Sequence, residues 1–534
     1  MRIATERVFR DRDVLAHAVL SVVALTCLGI FVRYWFTQGD WARTPVVFAA
    51  MTVPLSFGLM MYAARWALLP LMRRPVPHPA GTRRRVAVVT TFVPSAEPID
   101  MLAQSVAAMV AMDHPHDTWV LDEGDDPAVR ALCARLGAKH FSRRGRDCYQ
   151  AESGPFERRT KHGNYNAWLD AVGYAQYDVL VNFDPDHVPV RHFLSRTLGY
   201  FDDERIAYVQ AAQVYYNQGL SFVARGAAEE SYAYYSSVQM TSYALGYPIV
   251  TGCHTAQRLS ALRKLGGFAA HEADDLVITI YYRASGWDGV YVPEALATGL
   301  TPVDWDGYLT QQRRWARSVL DVKFRIYPRV ARQLPFVERW TSLAHGLFYL
   351  HGLASALGVA LLAYLLVDGT TPAVLSWQTI PYSLLLIGAL QACELFRQRF
   401  FLLPSERGLH WRAGLLRVAK WPTVLLALFE ALRPRSWDYS VTRKNGGRGS
   451  SALLVVPHLL VVGLLLSAIV VGGLLGHERS PAVLSASLLV IGQSAGLVMT
   501  SWLRWPAPYD PSLHASVSAV SGDMDDATDS RRTA

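Results

Sequence analysis

The sequence predicts an α/β domain with a mostly parallel sheet, inserted between transmembrane α-helices, two before it and about four after it. Three observations predict this. Apolar runs long enough to span a bilayer lie only toward the two ends. The middle instead alternates short β-branched runs with stretches of helical periodicity, and Lys/Arg crowd beside particular spans rather than evenly. Of 534 residues, 51% are hydrophobic and 18% charged, a composition too apolar for disorder as the main state. The chain carries 52 Lys+Arg against 44 Asp+Glu, and the position of the surplus points to membrane orientation and lipid headgroups, with no nucleic-acid partner. Five cysteines (Cys27, Cys133, Cys148, Cys253, Cys393) are scattered without a CxxC pair. They argue against a disulfide scaffold and against a structural zinc site, and suit a reducing compartment.

A bilayer core takes about 20 apolar residues, and six stretches qualify, near 14–36, 45–66, 343–367, 379–396, 453–475 and 482–503. The first lacks a small-residue cleavage site and a second span follows it closely, so it reads as a retained helix. The 368–377 loop carries no Lys or Arg, whereas 397–450 carries eleven, and Arg73, Arg74 and Arg83-Arg84-Arg85 follow the second span. Both termini and the soluble region are therefore expected in the cytoplasm of a cell with a multi-pass plasma-membrane topology. The expected division is a membrane region over 1–75, a soluble domain over 84–325, a second membrane region over 326–505 and a disordered tail over 506–534.

Within the soluble part, Val86-Ala87-Val88-Val89 reads as a buried strand, Ile99 to Met112 as a helix, and Thr118 to Leu121 as a second strand ending at Asp122-Glu123-Gly124. Asp178 to Phe183 is a third strand, ending at Asp184-Pro185-Asp186-His187. Ligands of open α/β sheets bind beyond the carboxyl ends of the strands, where both acidic clusters fall.

Each chemical signal has a plain alternative. Asp184 and Asp186 can hold Mg²⁺ or Mn²⁺ against a diphosphate, or be two solvated loop acids. Lys161-His162-Gly163-Asn164 opens a helix and can face phosphate. Asp274-Asp275 at a helix start is either dipole-stabilising or a general base. Gln311-Gln312-Arg313-Arg314-Trp315 suits a diphosphate and a sugar ring, or an interfacial helix. What separates these readings is order: an acid after strand two, Lys-x-Gly-Asn, DxD, an acid pair and QxxRW, bracketed by spans.

In these residues the sequence resembles the processive family-2 glycosyltransferases, most closely bacterial cellulose synthase catalytic subunits, from about Val86 to Lys444. Phe183-Asp184-Pro185-Asp186-His187-Val188-Pro189 is similar to FDADHVP, Val209-Gln210-Ala211-Ala212 to the VQTP strand, Thr251-Gly252-Cys253 to CGS, and Gly266-Gly267-Phe268 to a GGF turn. Gln311, Arg314 and Trp315 match QxxRW, and Leu432 to Ser436 and Tyr439 to Lys444 resemble LRPRS and the FxVTxK gating loop. The resemblance implies a GT-A fold and an inverting, processive transfer from a UDP-sugar, first of all UDP-glucose, to a growing glycan, with Mg²⁺ or Mn²⁺. Asp122 would contact uridine and Lys161 the phosphates; Asp186 with Asp184 would organise the metal; Asp275, in the TED position, would be the base. Gln311 and Arg314 would hold the diphosphate, Trp315 the acceptor sugar, and a loop with Thr442 and Lys444 would close over the donor. The spans would form an export channel into which His345, His351, Gln391 and Glu394 can face, each equally able to make an interhelical hydrogen bond. An extracellular or periplasmic glycan-handling partner would suit such a product.

The sequence departs from that pattern where TED reads Ala273-Asp274-Asp275, DDG reads Asp122-Glu123-Gly124, and Cys253-His254 stands at the acceptor-side wall. Residues 507–534 leave no room for a PilZ barrel, so no direct cyclic-di-GMP binding is expected. Two alternatives stay open at this point: a non-processive transferase acting on a lipid or small acceptor, and an inactive membrane scaffold.

Overall fold

The computed structural model describes residues 3–39, 41–81, 84–433, 452–477, 480–503 and 506–509. A two-stranded ribbon, β1 (Thr5–Arg7) against β2 (Arg73–Pro75), ties the start of the chain to the exit of its second long helix. The soluble domain is built on an eight-stranded sheet: β3 (Val86–Phe92), β4 (Asp117–Asp122), β5 (Lys139–Phe141), β6 (Val179–Phe183), β7 (Val188–Pro189), β8 (Ile206–Tyr215), β9 (Thr255–Arg258) and β10 (Asp288–Gly299). Their spatial order is β5-β4-β3-β6-β9-β8-β10-β7, in which only β9 and β7 run against the rest. The sheet is thus mostly parallel, as the strand-helix alternation predicts.

Burial explains why β3 reads as a run rather than an alternation. Val86, Ala87, Val88 and Val89 are all buried because both faces are covered. Val88 joins the cluster with Val181, Phe183 and Val209, while Ala87 and Val89 join that of Trp168, Leu180 and Tyr208. The helix Ile99–Val110 buries Met101, Leu102, Ser105, Val106 and Met109, the three-to-four spacing of one face. Ser105 Oγ donates to the Pro185 carbonyl at 2.7 Å, anchoring the loop after β6 from behind.

Among the described residues, six helical segments are long and apolar enough to cross a membrane: Asp11–Gln38, Pro45–Leu71, Phe336–Asp368, Thr379–Phe400, Val455–Leu474 and Pro481–Ser501. The chain is a membrane protein. Asp11–Gln38 packs on Thr379–Arg397 through Cys27, Phe31, Leu386 and Ala389, with Tyr34 Oη 3.1 Å from Thr379 Oγ1. His351–Asp368, Ala452–Leu474 and Pro481–Ser501 share Val359, Leu365, Leu465 and Val483. Leu15, Leu25, Leu460 and Met499 face outward, where lipid replaces water.

The third span differs from the single run the sequence suggests. It breaks between Phe336–Ala344 and Leu347–Leu350, where Gly346 takes φ +110°, a conformation side-chain-bearing residues avoid. Apolar composition alone does not register this, because Gly is tolerated in hydrophobic runs. After the last span, Tyr509 is buried against Met101, Val188, Tyr216 and Leu300 of the soluble domain.

Candidate active site

A cavity of about 2480 Å³ opens beyond the carboxyl ends of β3, β4 and β6 and continues into the membrane region. Its wall includes Lys161, Asp184, Asp186, Asp274, Asp275, Gln311, Arg314 and Trp315 at one end and His345, His351, Gln391 and Glu394 further along.

The acidic loop sits between β6 and β7, closed by His187 N donating to the Asp184 carbonyl at 3.0 Å. Asp186 is buried and Asp184 half-buried. Lys161 enters from the helix Lys161–Trp168, whose N-cap Thr160 accepts from Gly163 N at 3.1 Å. Its Nζ donates to Asp184 Oδ1 at 2.5 Å and to the Gly252 carbonyl at 3.0 Å. Gly252 itself has φ +76°, and a Cβ there would stand 3.3 Å from Asp275 Oδ2. The segment 251–255 is held from below by Gln210 on β8, which accepts from Thr251 N at 2.9 Å and donates to the Cys253 carbonyl at 2.9 Å.

Asp274 and Asp275 open the helix Asp274–Ala284, and Asp275 Oδ1 accepts from Leu276 N at 2.8 Å. Both carboxylates touch the cavity yet are ringed by protein. Burial raises Asp274 above the usual carboxylate range, and burial together with its neighbour's charge raises Asp275 to about 7. Two acids with displaced affinities beside a cavity are a signature of proton transfer.

The helix Trp305–Asp321 supplies Gln311, Arg314 and Trp315, with Asp304 as N-cap accepting from Gly307 N at 2.7 Å. Residues three apart share a helix face, so Gln311 and Arg314 reach the cavity together. Trp315 is 41% exposed, an indole left free to receive a ring.

The structure brings Lys161, Asp184, Asp186, Asp275, Gln311, Arg314 and Trp315 to one cavity. It treats Asp122 differently. That side chain is fully buried, accepting from Gly124 N at 2.8 Å and Asp126 N at 2.6 Å, so it shapes its own turn, and Glu123 and Gly124 face the cavity in its place. Glu123 is gripped by the buried Arg143, whose Nε and Nη2 donate at 3.0 and 2.9 Å. Thr442 and Lys444 lie outside the described residues.

Residues that the sequence did not single out hold this arrangement. Lys420, almost fully buried, donates to both oxygens of Glu230 and to Gln312 Oε1, each at 2.9 Å, while Tyr308 donates to Glu230 at 2.7 Å. Arg313 pairs with Glu430, and Arg317 pairs with Glu272. This belt fixes the QxxRW helix to the helix Trp421–Leu432 and to Phe222–Ala233. The available signal was a lysine set between two apolar runs and a Glu-Glu pair in a helix whose other face is apolar.

The family described as Glycosyltransferase like family 2 matches residues 86–318. Those residues are a family-2 glycosyltransferase domain. Cellulose synthase 2 of Novacetimonas hansenii is 26% identical over 466 residues, covering 81% of this chain and 27% of that protein. The cellulose synthase catalytic subunit (UDP-forming) of Pseudomonas fluorescens is 25% identical over 460 residues, covering 81% of this chain and 58% of that one. The chain thus spans less than two thirds of either relative's length. Among solved structures, a mannosyltransferase from Pyrobaculum calidifontis in complex with GDP-Man and Mn²⁺ is 17% identical with a TM-score of 0.48, covering 73% of this chain and 99% of that one.

Proposed function

We propose that this chain is a membrane-embedded, processive glycosyltransferase. It polymerises a UDP-sugar, UDP-glucose first among candidates, into a β-linked polysaccharide by inverting transfer, and exports the product through its own membrane region. The observation that carries this reading is the single cavity in which the acids, the QxxRW side chains and four polar residues of the spans share one wall. A hydrophilic chain made in the cytoplasm cannot cross lipid unaided, and a synthesis site continuous with a polar path removes that barrier.

The carboxylate oxygens of Asp184 and Asp186 are hard donors on the cavity wall, a set that fits Mg²⁺ or Mn²⁺. Such an ion would neutralise charge on the donor diphosphate. Lys161, beside Asp184, and Arg314 add positive charge where the leaving diphosphate becomes more anionic, and Gln311 adds an amide donor. Asp275 takes the proton from the acceptor hydroxyl. Its raised affinity makes it a better base than an exposed carboxylate while leaving it ionised above neutral pH. Trp315 offers its face to the acceptor's terminal sugar. The soluble domain and both termini are cytoplasmic in this reading, and Thr442 and Lys444 serve the donor.

His351 Nδ1 is 2.8 Å from the Phe348 carbonyl while its Nε2 has no hydrogen-bond partner, and Glu394 pairs with Arg397 at 2.6 Å.

The test is purified protein in nanodiscs supplied with labelled UDP- and GDP-sugars and Mg²⁺ or Mn²⁺. High-molecular-weight label from one donor, lost in Asp275→Asn, is the expected result. A short product of fixed length would favour the lipid or small-acceptor transferase, and no transfer together with no UDP binding the inactive scaffold.

A further inference from the structure

Behind the acidic loop lies a cluster that the proposed chemistry does not use. One ring nitrogen each from His187 and His254 and the Cys253 sulfur, all buried, lie within 4.8 Å of one another. Sequence spacing does not join these residues, because Cys253-His254 precedes β9 while His187 ends the loop after β6; only the fold brings them together.

Hydrogen bonding leaves this cluster short of partners on its inner side. His254 is wholly buried, its Nδ1 is 3.2 Å from the Ala212 carbonyl, and its Nε2 has no hydrogen-bond partner. Because a carbonyl only accepts, Nδ1 carries the proton and Nε2 presents a bare lone pair. His187, 3% exposed, has Nε2 2.8 Å from the side-chain amide of Gln213, and its Nδ1 is likewise without a hydrogen bond. The same amide is 3.7 Å from Cys253 Sγ. A histidine held by one nitrogen against a carbonyl or amide, close beside a buried thiol, is an arrangement that orients metal ligands. A wholly buried ring nitrogen without a hydrogen-bond partner, as at His254 Nε2, is otherwise a cost with no return.

We infer that His187, Cys253 and His254 form a binding site for a thiophilic divalent cation of the Zn²⁺ class, separate from the Asp184/Asp186 carboxylates. Thiolate with two imidazoles selects such a metal over Mg²⁺, which prefers oxygen. Bond lengths of about 2.0–2.1 Å to nitrogen and about 2.3 Å to sulfur require the three atoms to draw in by roughly 1 Å. On binding, the S–H proton leaves to solvent and a sulfur–metal bond replaces it, with no change of oxidation state. His187 and Gln213 satisfy each other if the amide presents its oxygen to Nε2–H, which frees Nδ1 for the metal and turns the amide N–H toward the thiolate and toward Tyr235 Oη, 2.8 Å away, which then accepts instead of donating. Asp186 Oδ1 lies 3.5 Å from His187 Nδ1, a contact that the nitrogen gives up on binding the metal, and a water completes the set of four. The inference is independent of which sugar the chain uses, or whether it polymerises.

Full-length protein in nanodiscs, in a Cys148→Ser background that removes the exposed thiol, is titrated with Co²⁺ under excess Mg²⁺. One equivalent producing a thiolate-to-cobalt absorption, displaced by Zn²⁺, is expected. The band should vanish in Cys253→Ser, and Gln213→Ala should weaken binding by about 10–100-fold. Absence of the band, or its survival in Cys253→Ser with unchanged metal-free Tm, overturns the site. Zinc-edge absorption of the parent protein supplies a reading that no variant's folding affects: one sulfur at about 2.3 Å supports the site, and an all-oxygen shell refutes it.

Discussion

Replacing Glu230 by Gln tests whether the buried belt positions the QxxRW helix. Lys420 has 3% of its side chain exposed and makes its hydrogen bonds to two Glu230 oxygens and one Gln312 oxygen. Glu230→Gln leaves that ammonium with no counter-charge, and breaking one side of a buried pair costs about 3–5 kcal/mol. At about 2–4 °C per kcal/mol for a domain of this size, Tm should fall by roughly 6–20 °C at a fixed scan rate. The double replacement Glu230→Met/Lys420→Met removes both charges and should recover most of that loss, since apolar substitutes for buried pairs are often neutral or better. Turnover should behave differently from stability. Gln312 loses its Lys420 partner in the double variant, so the helix bearing Gln311 and Arg314 loses an anchor and kcat should stay low. A Tm loss below about 2 °C for Glu230→Gln, or full activity in the double variant, would refute this account.

Three further outcomes follow from the site. Because Asp275 is held near 7 and must be ionised to accept a proton, activity should rise with pH through neutrality, whereas stability runs the other way. The folded protein binds protons at Asp274 and Asp275 more tightly than the unfolded chain, so this contribution is complete below about pH 4 and lost as pH rises through about 7; Asp275→Asn should flatten that loss while abolishing transfer. Arg314→Lys keeps the charge but loses the planar pair of donors, so kcat should fall by about 10²-fold with little change in Tm, as pre-steady-state product assays would show. Gly252→Ala forces a side chain into φ +76° against Asp275, and should cost about 1–2 kcal/mol in unfolding with a clear drop in turnover.

Much of the site was legible because its chemistry is local in sequence. Asp184 and Asp186 are one residue apart just past a strand, and Gln311, Arg314 and Trp315 lie within two turns of one helix. The strands were legible because both faces of the sheet are covered, so β3 opens on Val86-Ala87-Val88-Val89 and β6 on Val179-Leu180-Val181 without alternation. What composition could not show is where a side chain spends its hydrogen bonds. Asp122 and Glu123 are equivalent by type, yet the first is consumed by its own turn and the second reaches the cavity. Nor could periodicity join Lys420 to Glu230, which are 190 residues apart. The cysteines carried no pairing pattern, and only the antiparallel placement of β9 beside β6 and β8 sets Cys253-His254 against His187.

The most direct test of a synthase continuous with its own exit path uses inverted vesicles, with the soluble domain facing the medium. Labelled donor and Mg²⁺ are added outside, and the product is challenged with a membrane-impermeant glycan hydrolase before and after detergent. The account predicts long polymer inside the vesicles, protected until detergent is added and absent in Asp275→Asn. Polymer digested without detergent, or label recovered only as a short lipid-extractable product, would contradict it.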